Sequence, residues 1–195
     1  MKRLLLIVLL LSVGFSQQLA KVVETYENGN IKSITSHKET RNRIEKVKEV
    51  KYHENGQKQY EGTFKNGEQD GLFAEWYENG QKKYEWNYKD GKKDGLTTKW
   101  YENGQKDYEW NYKDGELDGL TTKWYENGQK KIEGTYKDGK LDGLKTDWYE
   151  NGQMSFKGIF KNGELDGLST QWFENGQKEN EGTFKDGELV NIIGR

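Results

Sequence analysis

The chain has 195 residues, with 31 Lys+Arg against 33 Asp+Glu and neither Cys nor Pro. Zero cysteine excludes a disulfide scaffold, a thiol nucleophile and every Cys-ligated metal or iron–sulfur site. A formal charge of -2 argues against a nucleic-acid binder, which would gather a basic excess into a patch. Beyond residue 16, Leu, Ile, Val and Phe number only 28, which raises the question of disorder. Small net charge answers it, together with 7 Trp and 12 Tyr, each a large apolar surface. The expectation is a folded chain with an aromatic core.

In chain order, the N-terminus comes first. Lys2 and Arg3 precede an apolar run from Leu4 to Val13, shorter than the roughly 20 residues a membrane span needs. Gly14-Phe15-Ser16 then places small residues where a signal peptidase reads. Residues 1–16 read as a signal peptide cleaved after Ser16, with Ala20 as the alternative cleavage point and an uncleaved anchor as the alternative fate. No cysteine follows the run, so a lipid-anchored lipoprotein is excluded. Cleavage leaves 29 basic against 33 acidic residues, about -4. The mature chain is expected outside the cytoplasm (periplasmic, cell-surface or secreted), with no stable membrane span.

Self-similarity dominates the rest. Glu-Asn-Gly recurs at Glu54, Glu78, Glu102, Glu126, Glu150 and Glu174, always 24 residues apart, with an outlying copy at Glu27. A second turn signal runs half a period out of phase, at Asn66-Gly67, Asp90-Gly91, Asp114-Gly115, Asp138-Gly139, Asn162-Gly163 and Asp186-Gly187. Such dipeptides between alternating segments are strong hairpin signals, because they accept the positive φ of tight turns. Strands of about eight to ten residues follow, each reversing on its predecessor. Both turn types end on a Gly, which favours three-residue turns with a Gly bulge over two-residue loops. That choice would put Trp124 on the face of Ile132 and Tyr136. Leu-Asp-Gly-Leu inside alternate strands marks an interior bulge. Lys38–Val50 stays open between long strand and loop. The fold class is all-β: an elongated, single-layer antiparallel meander of about 14 strands, its end units the first to fray.

Tyr60-Glu61-Gly62-Thr63-Phe64-Lys65-Asn66-Gly67 and Ile132-Glu133-Gly134-Thr135-Tyr136-Lys137-Asp138-Gly139 resemble MORN repeats, whose core is Y-x-G-x-[WYF]-x-[ND]-G. The interposed W-Y-E-N-G-Q is similar to the bacterial MORN-repeat variant, the YwqK-type proteins labelled antitoxins. The resemblance spans residues 20–190 and implies a repeat scaffold that binds protein, antitoxin-like or immunity-like. The resulting division is leader 1–16, degenerate first repeat and connector 17–50, and MORN-like repeats 51–195.

Chemistry is sparse. Asp114–Gly119 matches the start of a calcium loop, but position 12 is Tyr125 where a bidentate Glu is needed. Turn chemistry accounts for these residues without a metal. Glu61, Glu85, Glu109, Glu133 and Glu181 recur in one environment, whereas an acid/base pair needs two different ones. His53 takes a slot held elsewhere by Tyr77, Tyr101, Tyr125 and Tyr149, and His37 belongs to no motif. No catalytic residue, cofactor or metal site is expected.

The informative residues break the pattern. Trp86 and Trp110 stand where Gly62, Gly134, Gly158 and Gly182 stand elsewhere, flanked by Tyr84, Tyr88, Tyr108 and Tyr112. A slot that tolerates Gly does not need a large side chain for folding, so these six residues read as a surface that anchors a partner. Self-packing of the rings is the competing reading. The function expected is an exported, non-enzymatic scaffold that binds another protein. The alternative is a glycan-binding module stacking sugars on aromatic planes, with Trp76, Trp100, Trp124, Trp148 and Trp172 spaced to suit a linear polymer.

Overall fold

A computed structural model describes residues 4–5, 19–39 and 43–194. Apart from Leu4–Leu5, the expected leader and its cleavage point at Ser16 lie outside these residues. The chain divides into two compact units, 1–93 and 94–195.

The first unit holds β1 (Leu4–Leu5), β2 (Leu19–Thr25), β3 (Ile31–Glu39), β4 (Ile44–Tyr52), β5 (Lys58–Lys65), β6 (Glu68–Trp76), β7 (Lys82–Lys89) and β8 (Lys92–Lys93), each antiparallel to its predecessor. The second holds β9 (Gly95–Trp100), β10 (Lys106–Lys113), β11 (Glu116–Trp124), β12 (Lys130–Lys137), β13 (Lys140–Trp148), β14 (Met154–Lys161), β15 (Glu164–Trp172), β16 (Lys178–Lys185) and β17 (Glu188–Gly194), again antiparallel throughout. The all-β meander is as expected. No helix long and apolar enough to cross a membrane occurs among the described residues. The open stretch Lys38–Val50 resolves into strand: β3 and β4 pair from Ser33↔Lys51 to Glu39↔Ile44.

The two turn families differ, contrary to the single bulged type expected. At Tyr125–Gln129 the Gly128 N–H donates to the Tyr125 carbonyl (2.9 Å) and the Tyr125 N–H to the Gln129 carbonyl (2.9 Å), with Gly128 at φ 84. This is the three-residue turn closed by a Gly bulge. At Lys113–Glu116 the end residues are direct partners and both central residues have positive φ, Asp114 at 51 and Gly115 at 94. That is a two-residue I′ turn, which Asp tolerates because its short polar side chain fits the left-handed region.

A further bulge corrects the facing of Trp124. Lys123 pairs with Ile132 but Trp124 pairs with Lys130, so Lys131 is an extra residue and the alternation slips by one. Trp124 therefore shares a face with Leu120 and Thr122, opposite that of Ile132 and Tyr136. The slip also brings residues three apart onto one face, which lets Lys130 pair with Glu133 at 2.5 Å. The interior Leu-Asp-Gly-Leu bulge is present as expected, with Gly119 at φ 107 and the register shifting between Trp110 and Tyr112.

Successive repeats are tied at both strand ends. At the Glu-Asn-Gly end, Asn103 Nδ2 donates to the Glu126 carbonyl (3.0 Å) and Asn151 Nδ2 to the Glu174 carbonyl (2.9 Å). The Tyr101 and Tyr125 hydroxyls donate to the carbonyls of Trp124 (2.9 Å) and Trp148 (2.8 Å). In the first unit His53 occupies the tyrosine slot and its Nε2 lies 2.9 Å from the Trp76 carbonyl. At the other end the bulge aspartate receives the next turn: Asp70 accepts from the Asp90 N–H and Asp142 from the Asn162 N–H, each at 3.3 Å.

The aromatic core expected is present in the first unit around Phe73, whereas the second unit buries no hydrophobic side chain among its described residues. Among the described residues the buried hydrophobic side chains are Val50, Phe73 and Ala74, while the second unit buries Thr97, Thr98, Thr121, Thr122, Thr146, Ser169 and Thr170. A single layer has no second layer above it, so long side chains lean over short neighbours and bury those instead.

Turn geometry yields a direct test. Gly128→Val forces a β-branched residue to φ 84 and drives its Cβ into the Gln105 amide, at a cost of more than about 1 kcal/mol. The denaturation midpoint is expected to fall; an unchanged midpoint would contradict the turn assignment.

Candidate binding surface

Each repeat presents two chemically distinct faces. On the aromatic face of the first unit, Phe73 is the most deeply buried side chain, 0% exposed. Its place in β6 sets it opposite Gly62 on β5 and Trp86 on β7. Trp86 stacks on it at 6.1 Å between centroids, with Tyr88 edge-on at 5.3 Å, Phe64 edge-on at 5.6 Å and Tyr60 tilted at 6.1 Å. Tyr84 meets Trp86 edge-on at 5.9 Å. A Cβ on Gly62 would run into the Phe73 ring. That Gly is therefore a space kept for a neighbour.

The second unit builds its aromatic face differently. Trp110 lies opposite Thr121 on one side and Thr97 on the other, and stacks on Tyr108 at 4.0 Å with 17° between planes. Tyr112 lies opposite Leu117. Beside this group Asp107, 5% exposed, pairs with Lys99 at 2.8 Å. Burial, then the Asp107 charge, pushes the Tyr101 hydroxyl up to about 12. Tyr60 reaches about 12 chiefly through burial, with Glu49 adding to it.

All six residues expected to bind are thus half-buried. Tyr84, Trp86 and Tyr88 belong to the first unit; Tyr108, Trp110 and Tyr112 belong to the second. The inference that a Gly-tolerant slot needs no large side chain fails on geometry. Where the slot is Gly, a neighbour fills it: Phe73 over Gly62, and Phe156 with Leu165 over Gly158. Where it is Trp, the ring itself covers Phe73 or the threonines.

The opposite face carries what the sequence reading missed. Leu72, Leu96, Leu120, Leu144 and Leu168, the leucine that follows each Asp-Gly of Leu-Asp-Gly-Leu or its counterpart, are 50%, 44%, 51%, 46% and 45% exposed. Trp76, Trp124 and Trp148 share this face, each with a lysine ammonium over its ring: Lys58 at 4.9 Å, Lys106 at 5.5 Å and Lys130 at 5.7 Å. Those lysines pair in turn with Glu61, Glu109 and Glu133. Hydrogen bonds from Lys48 and Lys58 hold the Glu61 carboxyl below the usual carboxylate range. The spacing of the leucines was visible; their facing was not, because it depends on the two bulges.

No group of three or more His, Cys, Asp or Glu side chains poised to hold a metal occurs among the described residues.

Two predictions arise. Trp86→Gly uncovers Phe73 and is expected to cost about 2 kcal/mol, and Phe73→Ala about 3–5 kcal/mol; chemical denaturation reads both, and a neutral Trp86→Gly would return the ring to a purely binding role. For Tyr60 and Tyr101, the unfolded chain loses the hydroxyl protons near pH 10 while the native chain keeps them to about 12. Stability is therefore expected to fall as pH rises through that window. Tyr60→Phe should flatten the decline in melting temperature; an unchanged slope would contradict the assignment.

No curated protein matches the chain. A family model does: that of the MORN repeat variant matches residues 47–66, 69–90, 93–114, 117–138, 141–162 and 165–186. From residue 69 onward, each matched segment runs from a Leu-Asp-Gly-Leu-type strand through the Glu-Asn-Gly turn and back along the next strand. Six tandem matches cover more than half of the sequence, and the chain belongs to the MORN repeat variant family.

Proposed function

We propose that this chain is an exported, non-enzymatic scaffold that holds a protein partner against the open face of its repeats. The observation that carries the reading is the leucine row of the second unit, nearly half exposed once per repeat at Leu96, Leu120, Leu144 and Leu168, with nothing of the unit's own layer above it. Apolar side chains presented at a regular interval beside tryptophans form an extended docking strip, and repeat layers are suited to such strips. The half-buried rings of Trp86 and Trp110, on the other face, act in packing against Phe73 and the threonines. Export rests on the Lys2-Arg3 and Leu4–Val13 pattern. An antitoxin-like or immunity-like role is compatible with a partner met outside the cytoplasm.

Glycan binding is the weaker reading. Stacking on Trp76, Trp124 or Trp148 would compete with the ammonium already over each ring.

Affinity capture from the native envelope fraction tests the proposal. The wild-type chain, its N-terminus at Gln17 by mass spectrometry, is expected to retain a protein. The variant Leu96→Thr with Leu120→Thr, at exposed positions of the second unit, is expected to fold and retain less. Retardation by envelope polysaccharide with no protein retained would contradict the proposal.

A further inference from the structure

The repeat pattern breaks once more, on the leucine face of β14. Where β12 carries Lys130, Glu133 and Thr135, β14 carries Met154, Lys157 and Ile159. The break removes both members of the repeating ion pair, reverses the charge of its second position, and places an apolar side chain where Thr63, Thr135 and Thr183 stand. Ile159 lies opposite Leu144 on β13, and Leu168 flanks it on β15. With Met154 and Trp172 they line an open groove of about 290 Å³, with Thr170 at its floor and Lys157 within it. Met154, Ile159, Leu144 and Leu168 are 39%, 44%, 46% and 45% exposed. Lys157 faces Thr146 and Thr170, neither of them acidic. Thr170 donates to Glu181, which Lys178 also holds. Among the described residues Lys157 has no carboxylate partner.

We infer that this groove is where the scaffold grips its partner, and that the occupant is a short apolar protein segment carrying a carboxylate that pairs with Lys157. The inference rests on the protein-binding reading above and narrows it to one place and one chemistry. Three facts favour that occupant. The groove lies at the lower end of the range of ligand sites, which suits two or three side chains better than a large enclosed ligand. Its apolar lining is mostly aliphatic, with the Met154 thioether and the Trp172 ring, and the thioether adapts to side chains of varied shape. Its single charge is Lys157, which stands where the other repeats carry the glutamate of the ion pair, and the lysine position of that pair is Met154; complementary charge fixes register and rejects a wrong sign.

The test uses the mature chain and two fluorescein-labelled peptides, acetyl-Gly-Ser-Leu-Glu-Leu-Ser-Gly-amide and its counterpart with Lys for Glu, read by anisotropy. The acidic peptide is expected to bind about tenfold more tightly than the basic one. Lys157→Glu is expected to reverse the preference. The triple variant Met154→Lys, Lys157→Glu, Ile159→Thr restores the residues of β12 and is expected to fold with an unchanged melting temperature while binding neither peptide. Equal binding of both peptides, or a folded triple variant that binds like the wild type, would overturn the inference. So would tighter binding of dodecanoate, or of a soluble polysaccharide, than of the acidic peptide. If the triple variant still captures the envelope protein, the groove is wrong and the scaffold reading stands. If the wild type captures none, the scaffold reading itself fails.

Discussion

A strand layer with nothing packed above it cannot bury a large side chain by enclosing it; it can only lay one side chain over a shorter neighbour. That constraint decides which residues each unit uses and where. Phe73 is buried because Gly62 leaves room and four rings close around it. Thr97 and Thr121 are buried because Trp110 lies between them. Cross-strand pairs of this kind contribute roughly 0.2–1 kcal/mol each, so stability accumulates along the repeats without a central core.

Facing must then be held without slippage, since one residue of slip exchanges the two surfaces. Three devices hold it in the repeats beyond residue 51: a Gly-bulged turn at one end, an I′ turn at the other, and bulges within the strands. Asparagine and tyrosine bonds lock one set of turns to the next repeat, and the bulge aspartates lock the other. The result is two durable surfaces, one of interleaved aromatics and one of leucines with lysine-capped tryptophans. The second has no use within its own layer for the apolar area it exposes.

The sequence made the strands, their antiparallel order and the interior glycine bulge legible, because Asn-Gly, Asp-Gly and the 24-residue period act locally. Facing was not legible. The extra residue at Lys131 leaves no signature in composition, and it alone sends Trp124 away from Ile132. Phe73 was overlooked because it replaces a Thr in a slot that looks solvent-exposed until its neighbours are known. Trp86 and Trp110 were conspicuous as departures from Gly, yet their meaning lay in the strand beside them. Met154, Lys157 and Ile159 were equally visible departures; only the groove gives them a common purpose.

Which surface meets the partner is the question on which the functional reading turns. Carbene footprinting of the chain in its native envelope fraction, compared with the purified chain, resolves it directly. Protection is expected at Leu144, Met154, Ile159 and Leu168, with Trp86 and Trp110 labelled alike in both samples. Protection confined to Trp86, Trp110 and their flanking tyrosines would contradict the assignment and return binding to the aromatic face.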